Sequence, residues 1–543
     1  MILPALRPGF LLSLLSFDHF TRSKSFSAAP LVGNSVTLDY GTFNGLRNES
    51  TGIIYFRGIR FADPPLGDLR WKAPVVPPTK HLGVVDATHF GDICMQTTTG
   101  NVGSHGNSED CLFGNVYIPI DTQVNDKLPV LVWFHGGGFQ TGSSHGAPPE
   151  LIMRSSAKPF IFISFEYRLG PFGFLGGADI KEKGGLNAGL LDQRGALRWV
   201  QRYISLFGGD KSQVTIWGQS AGAGSTMFQL IANGGDNEGL FHAAMGDSPS
   251  LSFCPPFDGP YITGIYQQFA GLAGCDNQGA YTLECLRSAP AEKLALAAKQ
   301  VLLARPTTLF VFSPILDGDF ITERPVEAFK SGNFARVPVL FGSNSDEGSG
   351  WSAGITDPSA NTSMPNATED TVFNFLRGQY ATLGHASFDD AVNLYPLKEY
   401  SNSLSLQLRQ MYGECRYICT APMITGAAIA ESNMASFQYH YDNPHLGSFH
   451  SAELGAFFGP SPNAKANDLA LLEAMRQYWT SFVTTGQPSA KNGVAWKVDI
   501  PTLEAAGGPY VLLHPGGIVI KEMSADLTAR CSFWHNLSPE LLV

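Results

Sequence analysis

The sequence predicts an α/β fold: a large, mostly parallel sheet with helices on both faces. Two observations carry this expectation. Short β-rich runs alternate with longer helical or irregular stretches along the chain, the order of elements that builds helix-covered parallel sheets. Several runs are almost wholly apolar, Val130-Leu131-Val132-Trp133-Phe134 being the clearest, as strands buried on both faces require.

Taken in order, strands are expected at 53–60, 128–135, 160–168, 214–218, 243–246, 337–343 and 437–441. Between them, residues 192–207 space Ala196, Leu197, Val200, Ile204 and Phe207 at helical intervals. The stretch from Trp351 to Pro365, rich in Ser, Thr, Asn and Pro, reads as a surface loop. No internal repeat or low-complexity tract interrupts the pattern, so residues 30–543 are expected to form one domain.

Composition excludes several function classes. With 44% apolar and 15% charged residues the chain is that of an ordinary globular protein. Lys and Arg number 36 against 47 Asp and Glu, a net charge of −11 with no basic cluster. The electrostatic footprint of a nucleic-acid binder is therefore missing. Eight cysteines in 543 residues, with no CxxC pair, suggest a few staples and no metal site. Arg7 followed by Phe10-Leu11-Leu12-Ser13-Leu14-Leu15-Ser16-Phe17, with Ser25, Ser27, Ala28 and Ala29 downstream, predicts a signal peptide over 1–29 and a secreted protein. Asp18, Arg22 and Lys24 make it an imperfect one, and an intracellular chain with an apolar leader is the alternative. No later run reaches the roughly 18 apolar residues of a membrane span. Sequons at Asn48, Asn361, Asn366 and Asn536 are candidate glycosylation sites.

Two GxSxG pentapeptides compete for a nucleophile, Gly142-Ser143-Ser144-His145-Gly146 and Gly218-Gln219-Ser220-Ala221-Gly222. A nucleophilic serine needs a sharp strand-to-helix turn that holds Oγ exposed and leaves no room for neighbouring side chains. Val214-Thr215-Ile216-Trp217 reads as a strand ending at Gly218, and the ten residues from Ala221 can begin a helix. Ser144 instead sits between a glycine-rich loop and Pro148-Pro149. Context selects Ser220. The run His135-Gly136-Gly137-Gly138-Phe139, directly after an apolar strand, can curve its backbone around a small anion. It lacks the Lys-Ser/Thr and helix that a phosphate-binding loop would need.

Phe207-Gly208-Gly209, Val214, Ile216 and Gly218–Gly222 resemble the type-B carboxylesterase signature, the cholinesterase and fungal-lipase branch of the α/β-hydrolases. Residues 109–117 resemble the family's second signature, departing once at Gly114, where an aliphatic residue or Thr is usual; the change is expected to soften strand packing. Phe56–Pro65 and Arg70 resemble its N-terminal block. The likeness runs from Val36 to Trp534. It implies a carboxylic ester hydrolase that forms an acyl-enzyme on Ser220 and needs no cofactor. It also implies oxyanion donors at the amides of Gly137, Gly138 and Ala221.

In this fold the chain order is nucleophile, acid, histidine. The resemblance places the acid at Glu347, with its neighbour Asp346 as runner-up. Four histidines lie between residues 385 and 450. His450, in Gly447-Ser448-Phe449-His450-Ser451-Ala452-Glu453, resembles the family's histidine loop; His445 does not. The likeness further implies disulfides Cys94–Cys111, Cys275–Cys285 and Cys419–Cys531, leaving Cys254 and Cys415 free or paired. The 16 residues between Cys94 and Cys111 are dominated by small polar and charged types and hold no Phe, Tyr or Trp. They offer neither the amphipathic lid of a fungal lipase nor the tryptophan of a cholinesterase. The expected substrate is a soluble or moderately apolar small-molecule ester. Lipase, lactonase, thioesterase and transacylase chemistry on the same triad are alternatives, as is a binding protein on the same fold.

Overall fold

The computed structural model describes residues 31–100, 106–276, 279–432, 434–496 and 508–543, so the predicted signal peptide lies outside the described residues. Eleven of the described strands join in one sheet. In chain order they are β1 (Leu46–Asn48), β2 (Ile53–Arg60), β3 (Phe113–Pro119), β4 (Leu128–Phe134), β5 (Ile161–Phe165) and β6 (Gly209–Gln219). Then follow β7 (Ala243–Asp247), β8 (Val339–Asn344), β9 (Ser436–Tyr441), β10 (Tyr510–Leu513) and β11 (Val519–Lys521). Their order across the sheet is β11-β10-β9-β8-β7-β6-β4-β5-β3-β2-β1. Every pairing from β10 to β5 is parallel. The outer pairings are antiparallel.

Apolar alternation explains why this sheet is covered on both sides. Successive side chains of a strand point to opposite faces. Val130, Val132 and Phe134 of β4 enter one core, and Leu131 and Trp133 enter the other. In β5, Ile161 and Ile163 likewise oppose Phe162. The first core is closed by helices α1 (Ala188–Tyr203), α2 (Ala221–Ile231) and, after α3 (Leu404–Gly413), α4 (Thr420–Ser432). The second is closed by α5 (Ala466–Thr485), whose Leu471, Met475, Trp479 and Phe482 pack with Trp133, Trp217 and Phe437. The α1 helix starts earlier than its apolar periodicity suggests. Its first turns bury Asp192, Gln193 and Arg194, and Asp192 pairs with buried Arg168 at 2.7 Å. Those polar residues hide the helix from a hydrophobic pattern.

Two expectations change. Trp351–Pro365 is not wholly a surface loop: Ser352, Ala360, Asn361 and Thr362 are buried. Ser352 Oγ donates to the Ala360 carbonyl and accepts from the Thr362 amide at 2.8 Å. Asn361 turns its side-chain amide inward, donating to the Ile355 carbonyl at 2.8 Å. That nitrogen has no room for a glycan in the folded chain, whereas Asn366 and Asn536 are exposed and Asn48 partly so. The second change concerns Gly114. A Cβ there would overlap the ring of Phe165 on the neighbouring strand β5, and that ring packs against Phe61 at 5.2 Å. The aromatic ring fills the space of the missing side chain, so packing is not softened.

Cys94–Cys111, Cys275–Cys285 and Cys419–Cys531 are bonded, and Cys254 and Cys415 are buried free thiols. Gly114→Val should lower folding stability by about 1–3 kcal/mol, the usual cost of overpacking. Adding Phe165→Leu should recover part of that loss in a denaturant titration. An unchanged midpoint for Gly114→Val would show that the ring is not confined.

Candidate active site

At the carboxyl end of β6 the chain turns through Ser220 directly into α2. Ser220 has φ 58° and ψ −120°, a conformation that costs a non-glycine residue on the order of 1–3 kcal/mol. The turn is held because the Ser220 amide donates to the Asp247 carbonyl of β7 at 2.9 Å. A Cβ at Gly218 would overlap the backbone of Gly222, and one at Gly222 would overlap the Phe134 carbonyl. Both glycines are there for close approach of backbone to backbone. Ser220 is 7% exposed.

The glycine loop after β4 lies against this turn. The position of a Cβ on Gly136 is 2.8 Å from the Gln219 carbonyl and 3.1 Å from Ser220 Cβ. Gly137 and Gly138 adopt φ 110° and 64°. Their amides donate to no other group among the described residues. Ala221 is the first residue of α2, where backbone N–H groups have no intrahelical acceptor. Three unengaged amides thus border Ser220. Two side chains tie the loop to its neighbours. Gln140 accepts from the amides of Val311 and Phe312 at 2.9 and 3.1 Å. Gln96 accepts from the Gly142 amide at 2.7 Å and donates to its carbonyl at 3.0 Å.

Ser144 is on the far side of this loop. Its Oγ donates to Glu166 Oε1 at 2.6 Å and accepts from Asn115 at 3.0 Å. The residue is 1% exposed. It braces the fold and has no strand-to-helix turn.

Glu347 and His450 come from loops after β8 and β9. His450 Nδ1 is 2.6 Å from Glu347 Oε2. Glu347 Oε1 accepts from Ser248 Oγ at 2.5 Å and from the Asn344 amide at 2.6 Å. In a neutral imidazole, a proton on the Nδ1 that faces the carboxylate leaves Nε2 with its lone pair. That Nε2 is 3.5 Å from the side chain of Gln219, the residue before Ser220. Asp346 points away and pairs with Arg409 of α3. His445 pairs with Asp468 of α5 at 2.7 Å. The structure therefore brings Glu347 and His450 together beside the Ser220 turn and leaves Asp346 and His445 outside. The two loops are joined by the Asp346 amide, which donates to the Ser448 carbonyl at 2.9 Å, and by Asn344 Nδ2, which donates to the Phe449 carbonyl at 2.8 Å.

Several residues of the site were not among those expected to act in it. Tyr417 packs its ring on His450 with centroids 4.2 Å apart, and Trp351 adds a second contact at 5.4 Å. Buried Asp247 accepts from Trp217 Nε1 at 2.8 Å and Tyr439 Oη at 2.9 Å. Burial pushes its carboxyl up to about 7. Burial also raises Glu453 well above the usual range, helped by the charges of Asp247 and Glu347. No group of side chains among the described residues is arranged to hold a metal ion.

The family model described as "Carboxylesterase family" matches residues 33–515. This chain belongs to that family. Among its curated relatives, "Secreted lipase 1" of Botryotinia fuckeliana is 34% identical over 80% of this chain and 81% of the relative. "Lipase 1" of Geotrichum candidum is 33% identical over 86% and 91%. The solved structure of Aspergillus niger EstA superposes with a TM-score of 0.82 at 28% identity, covering 94% of this chain and 99% of that one. As a member of the carboxylesterase family, the chain is a carboxylic ester hydrolase with the α/β-hydrolase fold.

One buried acid of this carboxylesterase-family chain gives a pH prediction. Burial raises Glu166 from its ordinary 4.5 to about 7. Its Oε2 is 3.7 Å from His135 Nε2, and neither atom has a hydrogen-bond partner among the described residues. His135 is itself pushed down to about 4 by burial, so it offers no positive charge near neutrality. With a raised folded pKa, the contribution of Glu166 to stability is complete below about 4.5 and is lost as pH rises through about 7. Glu166→Gln should thus gain on the wild type between pH 5 and pH 8, by up to roughly 3 kcal/mol. Thermal unfolding across that range checks this; a constant difference would mean that Glu166 does not titrate there.

Proposed function

We propose that the chain cleaves carboxylic esters through an acyl-enzyme on Ser220, with His450 as general base and acid and Glu347 holding its tautomer. The hydrogen bond from His450 Nδ1 to buried Glu347, beside the strained Ser220 turn, is the observation that carries this reading. Ser220 Oγ attacks the ester carbonyl while its proton passes to His450 Nε2. The negative charge that forms on the carbonyl oxygen is met by the amides of Gly137, Gly138 and Ala221, which have no other acceptor among the described residues. His450 then gives its proton to the departing alcohol, and water repeats the sequence to release the acid. No cofactor takes part.

The substrate class in this reading is a soluble or moderately apolar ester. Its support is the Cys94–Cys111 loop, which is short and has no Phe, Tyr or Trp. Part of its described stem is committed inward: Thr97 is buried and its amide donates to the Gln140 carbonyl at 2.8 Å. Such a loop has no apolar face to open on oil. The relatives named lipases favour the alternative, a hydrolase of water-insoluble lipid esters. We also read residues 30–543 as one catalytic domain of a secreted chain glycosylated at Asn48, Asn366 and Asn536. Three disulfides and the likeness to a secreted lipase support this.

Ser220→Ala should lower kcat by roughly 10⁴ to 10⁶, as loss of a triad nucleophile does, while Ser144→Ala should cost stability and leave turnover largely intact. An organophosphate should label Ser220 alone, read by peptide mass spectrometry. Labelling of any other serine would displace the assignment. Glu347→Gln should reduce the rate strongly and Asp346→Asn much less; the reverse order would move the acid by one residue. On an ester of limited solubility, rate should rise smoothly through the concentration at which droplets form. A jump at that point would favour the lipase alternative.

A further inference from the structure

The inference here concerns Arg416 and rests on the hydrolase reading above. Arg416 lies in a π-helical turn, Glu414–Ile418, between α3 and α4. Such turns concentrate at functional positions. The wider turn puts consecutive residues to different uses. Glu414 pairs with Arg530 at 2.7 Å, whereas Tyr417 stacks on His450. Arg416 lies between them and is 3% exposed.

Its guanidinium has no counter-ion among the described residues. Arg409 and Arg530 nearby are matched with Asp346 and Glu414, but Arg416 forms no ion pair with a carboxylate among the described residues. The groups facing it are uncharged: the Ser252 hydroxyl, which accepts from Nη2 at 3.2 Å, and the side chains of Tyr380, Tyr412, Tyr417 and Phe310. Nε is buried with no acceptor among the described residues. A buried cation left this way is costly, and folds keep one only where something else supplies the anion.

Position says what that anion is. Arg416 Cζ is 5.2 Å from the centre of the Phe310 ring. That ring occupies the space a Cβ on Gly138 would need, so it borders the oxyanion amides. His450 must protonate the departing alcohol, which therefore leaves past the His450 imidazole. The acyl part extends to the other side, along the glycine loop and Phe310. We propose that Arg416 is a specificity residue that receives a carboxylate on the acyl part of the ester, making half-esters of dicarboxylic acids the preferred substrates. The carboxylate binds and is not altered.

The test compares p-nitrophenyl hemiglutarate with p-nitrophenyl valerate, acyl groups of equal length that differ in a terminal carboxylate or methyl. Wild-type enzyme should favour the hemiglutarate in kcat/KM by about tenfold or more, the scale of a charge-assisted hydrogen-bonded pair. Arg416→Met should abolish that preference, and Arg416→Lys should keep part of it. A measurement on wild-type enzyme covers the case in which the variants fail to fold: free glutarate should inhibit valerate turnover competitively and better than free valerate. Equal inhibition by the two acids, or no preference for the hemiglutarate, overturns the proposal. So does a preference for charge on the alcohol part, read with the valerate ester of 4-hydroxybenzoate against phenyl valerate. Failure to cleave any of these esters would instead sink the hydrolase reading itself.

Discussion

The contact between Gly222 and the carbonyl end of β4 is the constraint on which the rest of the site depends. No side chain fits there, so α2 can begin immediately above the sheet, one residue after β6 ends. That closeness forces Ser220 into its strained conformation and brings the glycine loop against it. It also fixes Ala221 as the first helical residue, with its amide turned out of the helix. The strain is repaid by the parallel register of β6 with β4 and β7, in which Gly218 pairs with both Phe134 and Gly246. A backbone held on both sides by strands cannot relax to an ordinary turn without breaking the centre of the sheet.

Charge is distributed with similar economy. Asp247, Glu347 and Glu453 are all fully buried beneath the site, and the charges of the first two help to hold the proton on Glu453. The hydrogen bonds are unequally shared. Ser248, the Asn344 amide and His450 converge on Glu347. Glu453 receives Asn344 Nδ2 on one oxygen, and its other oxygen has no partner. Burial keeps protons on Asp247 up to about 7 and on Glu453 well beyond the usual range. The hydrogen bonds are thereby concentrated on the carboxylate that touches the histidine.

Much of this was legible in the sequence, and what was not has physical reasons. Apolar runs gave the central strands because burial on both faces demands them, and the glycines of 218–222 mark a turn that admits no side chains. The choice of Glu347 over Asp346 rested on family likeness, since both follow β8 in a turn. What separates them is Arg409, brought by α3 from far along the chain. Ser144 was set aside on local context, although only its partnership with Glu166 and Asn115 explains why it is buried. Gly114 misled because its reason lies in Phe165, on a strand it meets only in three dimensions. Asn361 misled because a sequon says nothing of burial. Arg416 left no pattern, since a π-turn has no sequence period to read.

The site is built on loops, yet it behaves as part of the scaffold because the loops are bonded to one another. Gln96 spans from the first disulfide loop to Gly142, and Gln140 from the glycine loop to the segment bearing Phe310. Asn344 spans from the loop of Glu347 to that of His450. Each is an amide side chain that replaces backbone partners a loop would otherwise seek in water. Hydrogen bonds of this kind contribute little stability individually, about 1 kcal/mol. Their effect is geometric: when each loop is satisfied only in one position relative to its neighbour, moving any of them leaves buried polar groups unpaired in several. Gly137, Gly138, Glu347 and His450 are thus held in mutual register, which is what the proposed acyl transfer would require of its donors, acid and base.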